Sequence, residues 1–123
     1  MALSEQQRAF TRMVVELLTF ALSQPGIEIT LGEAYRTPEQ AALNVKEGKS
    51  QTDHSYHCNR LAIDLFLWKN DELTWKIEDY IFLGAYWESL GGVWGGRWEK
   101  LRDAVHFQYG EHRLGAPSPG KVA

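Results

Sequence analysis

Cysteine is almost absent from this 123-residue sequence: Cys58 stands alone. No internal disulfide can form, and a cysteine zinc cluster is excluded, so any metal centre must be built from histidines and carboxylates. Long apolar runs are missing as well. Nothing approaches the ~20 residues that a membrane-spanning helix needs. The first 19 residues show no basic stretch followed by an apolar segment and a small-residue cleavage site, which predicts synthesis in the cytoplasm without a signal peptide. There is no lysine-arginine stripe, and the formal net charge is −3 with a pI near 5.8. Nucleic acid is therefore excluded as an expected partner.

What is present suffices for one core. Apolar residues make up 44% of the chain, with five Trp, five Tyr and five Phe, while the 24% charged residues mix both signs. That balance predicts a folded chain of one-domain size, expected here as a monomer. The domain is expected over residues 1–113, with a loose tail at 114–123.

The periodicity predicts an α+β outline. Ser4 is a suitable N-cap with Gln7 as its capping-box partner, and Phe10, Met13, Val14, Leu17, Leu18 and Ala21 recur at helical spacing up to Pro25-Gly26. Ile27, Ile29 and Leu31 alternate as a short strand. Thr37-Pro38 opens a second helix that runs to about Lys46 and stops at Gly48. Lys49 to Asn59 carries no period and is expected as a loop. Residues 61–68 are apolar on both faces, which predicts a central strand buried on two sides. Lys69 to Glu72 is a turn, with a returning arm at Leu73 to Trp75. A third helix is expected over Ile77 to Leu90 with Ile81, Phe82, Ala85 and Tyr86 inward. A last strand is expected over Val105 to Tyr109.

Asp64 is the most informative residue, a carboxylate in the middle of the most apolar strand. Burying it unpaired is costly, so it calls for a cation, hydrogen bonds or a proton. His57 lies seven residues earlier, at the end of a loop able to fold back, and His106 sits in another short apolar strand. Two imidazoles and one carboxylate are a three-ligand zinc set whose fourth position stays open for water. Asp103, three residues before His106, is placed to accept a proton from that water. Arg36, between a strand and a helix, can answer the charge of an oxyanion. Each residue also has a plainer reading: a core histidine, a turn aspartate, a surface arginine.

The segment Ser55-Tyr56-His57-Cys58-Asn59-Arg60-Leu61-Ala62-Ile63-Asp64 resembles the Ser-x-His-x6-Asp signature of the zinc D,D-peptidases. Those enzymes include D-Ala-D-Ala carboxypeptidases, vancomycin-resistance dipeptidases and phage L-alanyl-D-glutamate endopeptidases. Asp103 to His106 is similar to the second signature, an acidic residue three before a histidine, and Tyr35-Arg36-Thr37 to an upstream arginine block. Leu83 to Trp98 looks like the segment before the last ligand in phage members.

The resemblance implies a zinc ion on His57, Asp64 and His106, Asp103 as general base and Arg36 as carbonyl clamp. It also implies a small antiparallel sheet carrying the site, packed with about three helices and related to the Hedgehog signalling domain. Arg60 stands where many members have glycine and is expected, with Ser55, to meet the substrate. Aspartate rather than glutamate at 103 favours the endopeptidase branch, which cuts L-Ala–D-Glu in the peptidoglycan stem peptide. A wall-lytic enzyme of that kind would act after release from the host cytoplasm through a holin. A D-Ala-D-Ala carboxypeptidase with the same site and a non-catalytic zinc module are the rival expectations. His54 is a competing ligand candidate, and Trp87, Trp94 and Trp98 are expected mostly in the core.

Overall fold

A five-stranded antiparallel sheet packed on two helices sets the position of every candidate site residue. The computed structural model describes residues 2–49 and 55–110. His54, His112 and the tail expected at 114–123 lie outside the described residues. In chain order the elements are α1 (Leu3–Leu22), β1 (Ile27–Leu31), α2 (Pro38–Lys46), β2 (Ala62–Lys69), β3 (Glu72–Thr74), α3 (Ile77–Ser89), β4 (Val93–Trp94) and β5 (His106–Gln108), with 3-10 turns at Tyr56–Asn59 and Gly95–Arg97.

The sheet order is β1-β2-β5-β4, and β3 also pairs with β2. β2 is the axis. Its C-terminal half pairs with β1 on one edge and β3 on the other, while Ala62, Ile63 and Asp64 face Gln108, Phe107 and His106 of β5. Strand side chains alternate in direction. Ile63, Leu65, Leu67 and Phe107 therefore point to the helices, and Asp64, Phe66, Trp68 and His106 point the other way.

The helical side is sealed. Phe10, Met13, Leu17 and Ala21 of α1 and Tyr80, Leu83 and Trp87 of α3 meet the odd-numbered β2 residues in one buried cluster. Complete burial stabilises each of the larger side chains by roughly 1.5–3 kcal/mol. The opposite face has no helix over it among the described residues, and Phe66 and Trp68 are only half-buried. β2 is central as expected, but the expectation of burial on both faces is corrected. Its second face is apolar and only partly covered: Phe66 packs against the rim of the core cluster, and Trp68 donates from Nε1 to Thr30 Oγ1 at 3.1 Å.

Three further local expectations are corrected. α1 begins at Leu3 with Ala2 as N-cap and no side-chain cap; the Glu5 and Gln6 amides bond the Ala2 carbonyl, so Ser4 lies inside the first turn. In α3 the buried face is Tyr80, Leu83, Gly84, Tyr86 and Trp87, whereas Ile81 is 43% exposed and Ala85 faces out. Apolar residues surround that helix, so their spacing leaves its rotation open and packing on the sheet selects it. The stretch expected as a plain loop ends in the 3-10 turn at 56–59, and β4 was not expected at all.

Candidate metal centre and its cleft

The first ligand candidate is delivered by a capped turn. Ser55 is the N-cap, its Oγ accepting from the His57 amide at 3.1 Å, and Arg60 closes the turn in the left-handed region at φ 56°. The His57 carbonyl accepts from two amides, Arg36 and Arg60, each at 3.2 Å. The loop before α2 and the loop before β2 are thereby tied to one atom of His57.

The second and third candidates come from the sheet. Asp64 and His106 are directly paired across β2 and β5. Two buried tryptophans hold the incoming chain: Trp94 donates from Nε1 to the Ala104 carbonyl and Trp87 to the Gln108 carbonyl, each at 2.8 Å. They belong to the core as expected, and their N–H groups also brace both ends of the segment that carries His106. Gly95 packs directly against that segment. A Cβ there would stand 2.5 Å from the Asp103 carbonyl oxygen and 3.0 Å from His106 Cβ.

These elements bring three donor atoms together. His57 Nε2 lies 3.2 Å from His106 Nδ1 and 3.3 Å from Asp64 Oδ1, and His106 Nδ1 lies 3.6 Å from Asp64 Oδ1. A tetrahedral ion with ligands at about 2.0–2.1 Å sets its ligand atoms about 3.3–3.4 Å apart, so the triangle fits such an ion. Asp64 Oδ1 is buried and has no hydrogen-bond partner, a costly state that a cation relieves. Burial pushes the Asp64 carboxyl upward, but the His106 and His57 imidazoles outweigh it and hold its pKa to about 2. The carboxylate is therefore ionised and ready to bind a cation. The three residues can hold a metal ion.

Only His106 has an outer hydrogen-bond partner among the described residues; His57 Nδ1 is buried without one, and a carboxylate stands near it. His106 Nε2 is 2.8 Å from Gln108 Oε1, and His57 Nδ1 faces Glu33 Oε1 at 3.6 Å. Glu33 and Gln108 did not emerge from the sequence. Gln108 was signalled by its even spacing from His106, which puts both on one strand face. Glu33 had no signal, because its place beside His57 depends on the fold of the 32–36 loop.

A cleft of about 620 Å³ opens in front of the histidines, and Arg36, Ser55, Trp98, Lys100 and Asp103 are among its walls. Burial and the nearby Asp64 charge raise the Asp103 pKa, against the pull of His106. Trp98, unlike the other two expected core tryptophans, sets its ring 5.0 Å from the His106 ring and lines the cleft. Arg36 is 15% exposed and bound to Glu33, its Nη2 at 2.7 Å and its Nε at 2.8 Å from Oε1. Arg60 is placed elsewhere: its guanidinium lies over the Tyr35 ring at 4.1 Å and is not in the cleft wall. Lys49 and Lys100 supply the cleft's other cations, so the acidic net charge does not describe the site.

Residues 48–109, half of the chain, match the family of peptidases described as D-alanyl-D-alanine carboxypeptidase. The chain belongs to this peptidase family. An L-alanyl-D-glutamate peptidase of Listeria phage A118 is 36% identical over 80% of this chain and 36% of its own length. The peptidoglycan L-alanyl-D-glutamate endopeptidase CwlK of Bacillus subtilis is 26% identical over 76% of this chain and 67% of its own. This family member thus spans about a third of the phage relative and two thirds of the Bacillus one. In structure it is similar to the L-Ala D-Glu endopeptidase ChiX of Serratia marcescens, with a TM-score of 0.66 at 25% identity over 85% of this chain and 84% of the other. The expected α+β peptidase fold, with a His/Asp/His cluster on a small antiparallel sheet, is the one found.

Proposed function

We propose that this peptidase is a zinc enzyme that hydrolyses the L-Ala–D-Glu bond of the peptidoglycan stem peptide. The convergence of His57 Nε2, Asp64 Oδ1 and His106 Nδ1 at the end of an open cleft, beside Asp103, carries the reading. The names of the phage, Bacillus and Serratia relatives supply the bond.

His57, Asp64 and His106 would hold the metal, and two imidazoles with one carboxylate suit zinc. The ion, when bound, supplies a Lewis acid and an activated water. The chain's own residues do the remaining work. Asp103 accepts a proton and passes it to the leaving amine, a task helped by its raised pKa, which brings it nearer the working range of a general base. Arg36, held by Glu33, presents its cation to the oxygen on which charge develops. Ser55 fixes the turn of His57 and stands in the cleft wall. Arg60, over the Tyr35 ring, meets the substrate outside the described cleft. The enzyme acts as a monomer on the cell wall after release from the cytoplasm in which it is made, as one domain over residues 1–113.

The description of the family favours a second reading, removal of a C-terminal D-Ala, and Lys49 and Lys100 offer cations for its carboxylate. Mass spectrometry of purified peptidoglycan incubated with zinc-loaded protein decides between them, with Asp103→Ala as control. Release of stem peptides beginning at D-Glu supports the endopeptidase. Release of single D-Ala transfers the case to the carboxypeptidase, and no product from zinc-holding protein rejects both.

A further inference from the structure

The open face of the sheet carries a strip of aromatic side chains that the peptidase site does not use. Phe66 and Trp68 follow Asp64 on the same side of β2, and Leu73 of β3 stands opposite Trp68. Trp75 sets its ring edge-on to Phe66 at 5.4 Å between centroids, and it is 61% exposed. Gly32 makes the strip continuous with the metal centre. A Cβ at Gly32 would stand 2.8 Å from the Phe66 ring and 3.0 Å from Asp64 Cβ, so only glycine lets the ring lie beside the ligand's own carbon. The strip begins one strand repeat from Asp64, a step of roughly 7 Å.

We infer that this strip is a subsite for the glycan strand of the substrate. The inference rests on the endopeptidase reading above. In peptidoglycan the L-alanine amine is joined to the lactyl group of N-acetylmuramic acid, so the sugar lies one residue and one short bridge before the scissile carbonyl. One extended residue covers about 3.5 Å. With a lactyl bridge of similar reach, the pyranose ring falls roughly 7 Å from the carbonyl, which is the spacing from Asp64 to Phe66 along the strand. Aromatic faces with a large apolar area and little conformational freedom suit the C–H faces of a sugar ring. Trp75, 61% exposed, is not filling a core, and exposed apolar surface continuous with a site in this way marks a ligand groove. The cleft with Arg36, Lys49 and Lys100 then takes the acidic D-Glu half of the stem peptide, on the other side of the cut bond.

Two measurements on the full chain test the assignment. The first compares kcat/KM for the free stem tetrapeptide with that for the same peptide on a GlcNAc-MurNAc disaccharide. The wild type should prefer the glycan-linked substrate, and Trp75→Ala should lower that preference about tenfold, with Trp75→Tyr retaining most of it. Equal losses on both substrates would mean that Trp75 acts on folding or on the metal centre, and an unchanged preference would remove it from the subsite; either overturns the assignment. The second is a fluorescence titration with an N-acetylglucosamine oligomer, which needs no turnover. Saturable binding that weakens in Trp75→Ala supports the subsite even if the wild type cuts neither peptide, an outcome that would reject the endopeptidase reading alone. No binding by the wild type overturns the subsite.

Discussion

Gln108 Oε1 stands 2.8 Å from His106 Nε2, on the side of the ring away from Asp64. An amide oxygen can only accept, so Nε2 carries the proton and Nδ1 presents its lone pair to the centre. The contact arises from strand geometry, since His106 and Gln108 are two residues apart and point to one face. Replacing Gln108 by Leu removes the acceptor while the strand stays paired. Metal affinity should fall about 10–100-fold, as it does when outer partners of ligand histidines are lost. A zinc titration against a competing chelator measures this, and Gln108→Glu, which restores an acceptor, should recover most of the affinity. Unchanged affinity in Gln108→Leu would leave the tautomer to other groups.

Glu33 Oε1 is bound by the Arg36 guanidinium at 2.7 Å and faces the His57 ring at 3.6 Å without bonding it. Arg36→Ala should lower kcat/KM by about 10²–10³ with zinc still bound, the usual loss for one oxyanion donor. Glu33→Ala should do nearly as much damage, because the arginine then loses its anchor. The double variant should fall well short of the sum of the two, since residues sharing one network are not additive. Additive losses would show that Glu33 does not act through Arg36.

The metal-free protein should show two opposite carboxylate effects on stability. The Asp64 pKa is about 2 in the fold against 3.8 without it, so Asp64 contributes stability that is complete above pH 3.8 and lost as pH falls towards 2. The difference amounts to about 2 kcal/mol at 1.36 kcal/mol per pH unit. The Asp103 pKa is raised instead, so its ionisation costs stability above its folded value, and the cost disappears as pH falls to 3.8. Metal-free Asp103→Asn should therefore melt above the wild type at neutral pH and converge with it in acid. Asp64→Asn should melt below the wild type at neutral pH and converge only near pH 2. Thermal melts from pH 2 to 7 read both, and the reverse order would reject the assignments.

Most of the site was legible because its chemistry opposes its surroundings: Asp64 in an apolar strand and His106 between Val105 and Phe107 are unusual enough to be noticed. β1 was legible from alternation, β2 from its apolar run and α2 from Thr37-Pro38, whose cap bond to the Gln40 amide is present at 3.1 Å, whereas the two-residue β4 carried no signal. What was not legible depends on rotation or on loop paths. The apolar residues around α3 left its buried face undetermined, and the two-sided apolar pattern of β2 did not reveal that one side is only partly covered. Arg60 is a cation near a candidate metal ligand in sequence, and the position of its guanidinium over the Tyr35 ring could not be read from that spacing. Glu33 and Lys100 reach the site only through loops whose course no periodicity encodes.

Gly95 is the point where close packing meets the segment that carries Asp103 and His106. Its carbonyl accepts from the Asp103 amide at 3.1 Å, and the Asp103 carbonyl in turn accepts from the His106 amide at 3.2 Å. Gly95→Ala would put its Cβ 2.5 Å from that Asp103 carbonyl oxygen, a backbone atom that cannot swing aside. Relief requires moving the 103–106 segment, which Trp94 and Trp87 hold through the Ala104 and Gln108 carbonyls. The expected cost is about 1–3 kcal/mol of stability, typical of overpacking a closed site. A shift of about 1 Å at Asp103 should also reduce turnover about 100-fold even where the protein is fully folded. Thermal melting and kcat on glycan-free stem peptide, measured at a temperature where the variant is folded, separate the two losses. Reduced stability with full turnover would show that the strand carrying His106 absorbs the methyl group without displacing Asp103.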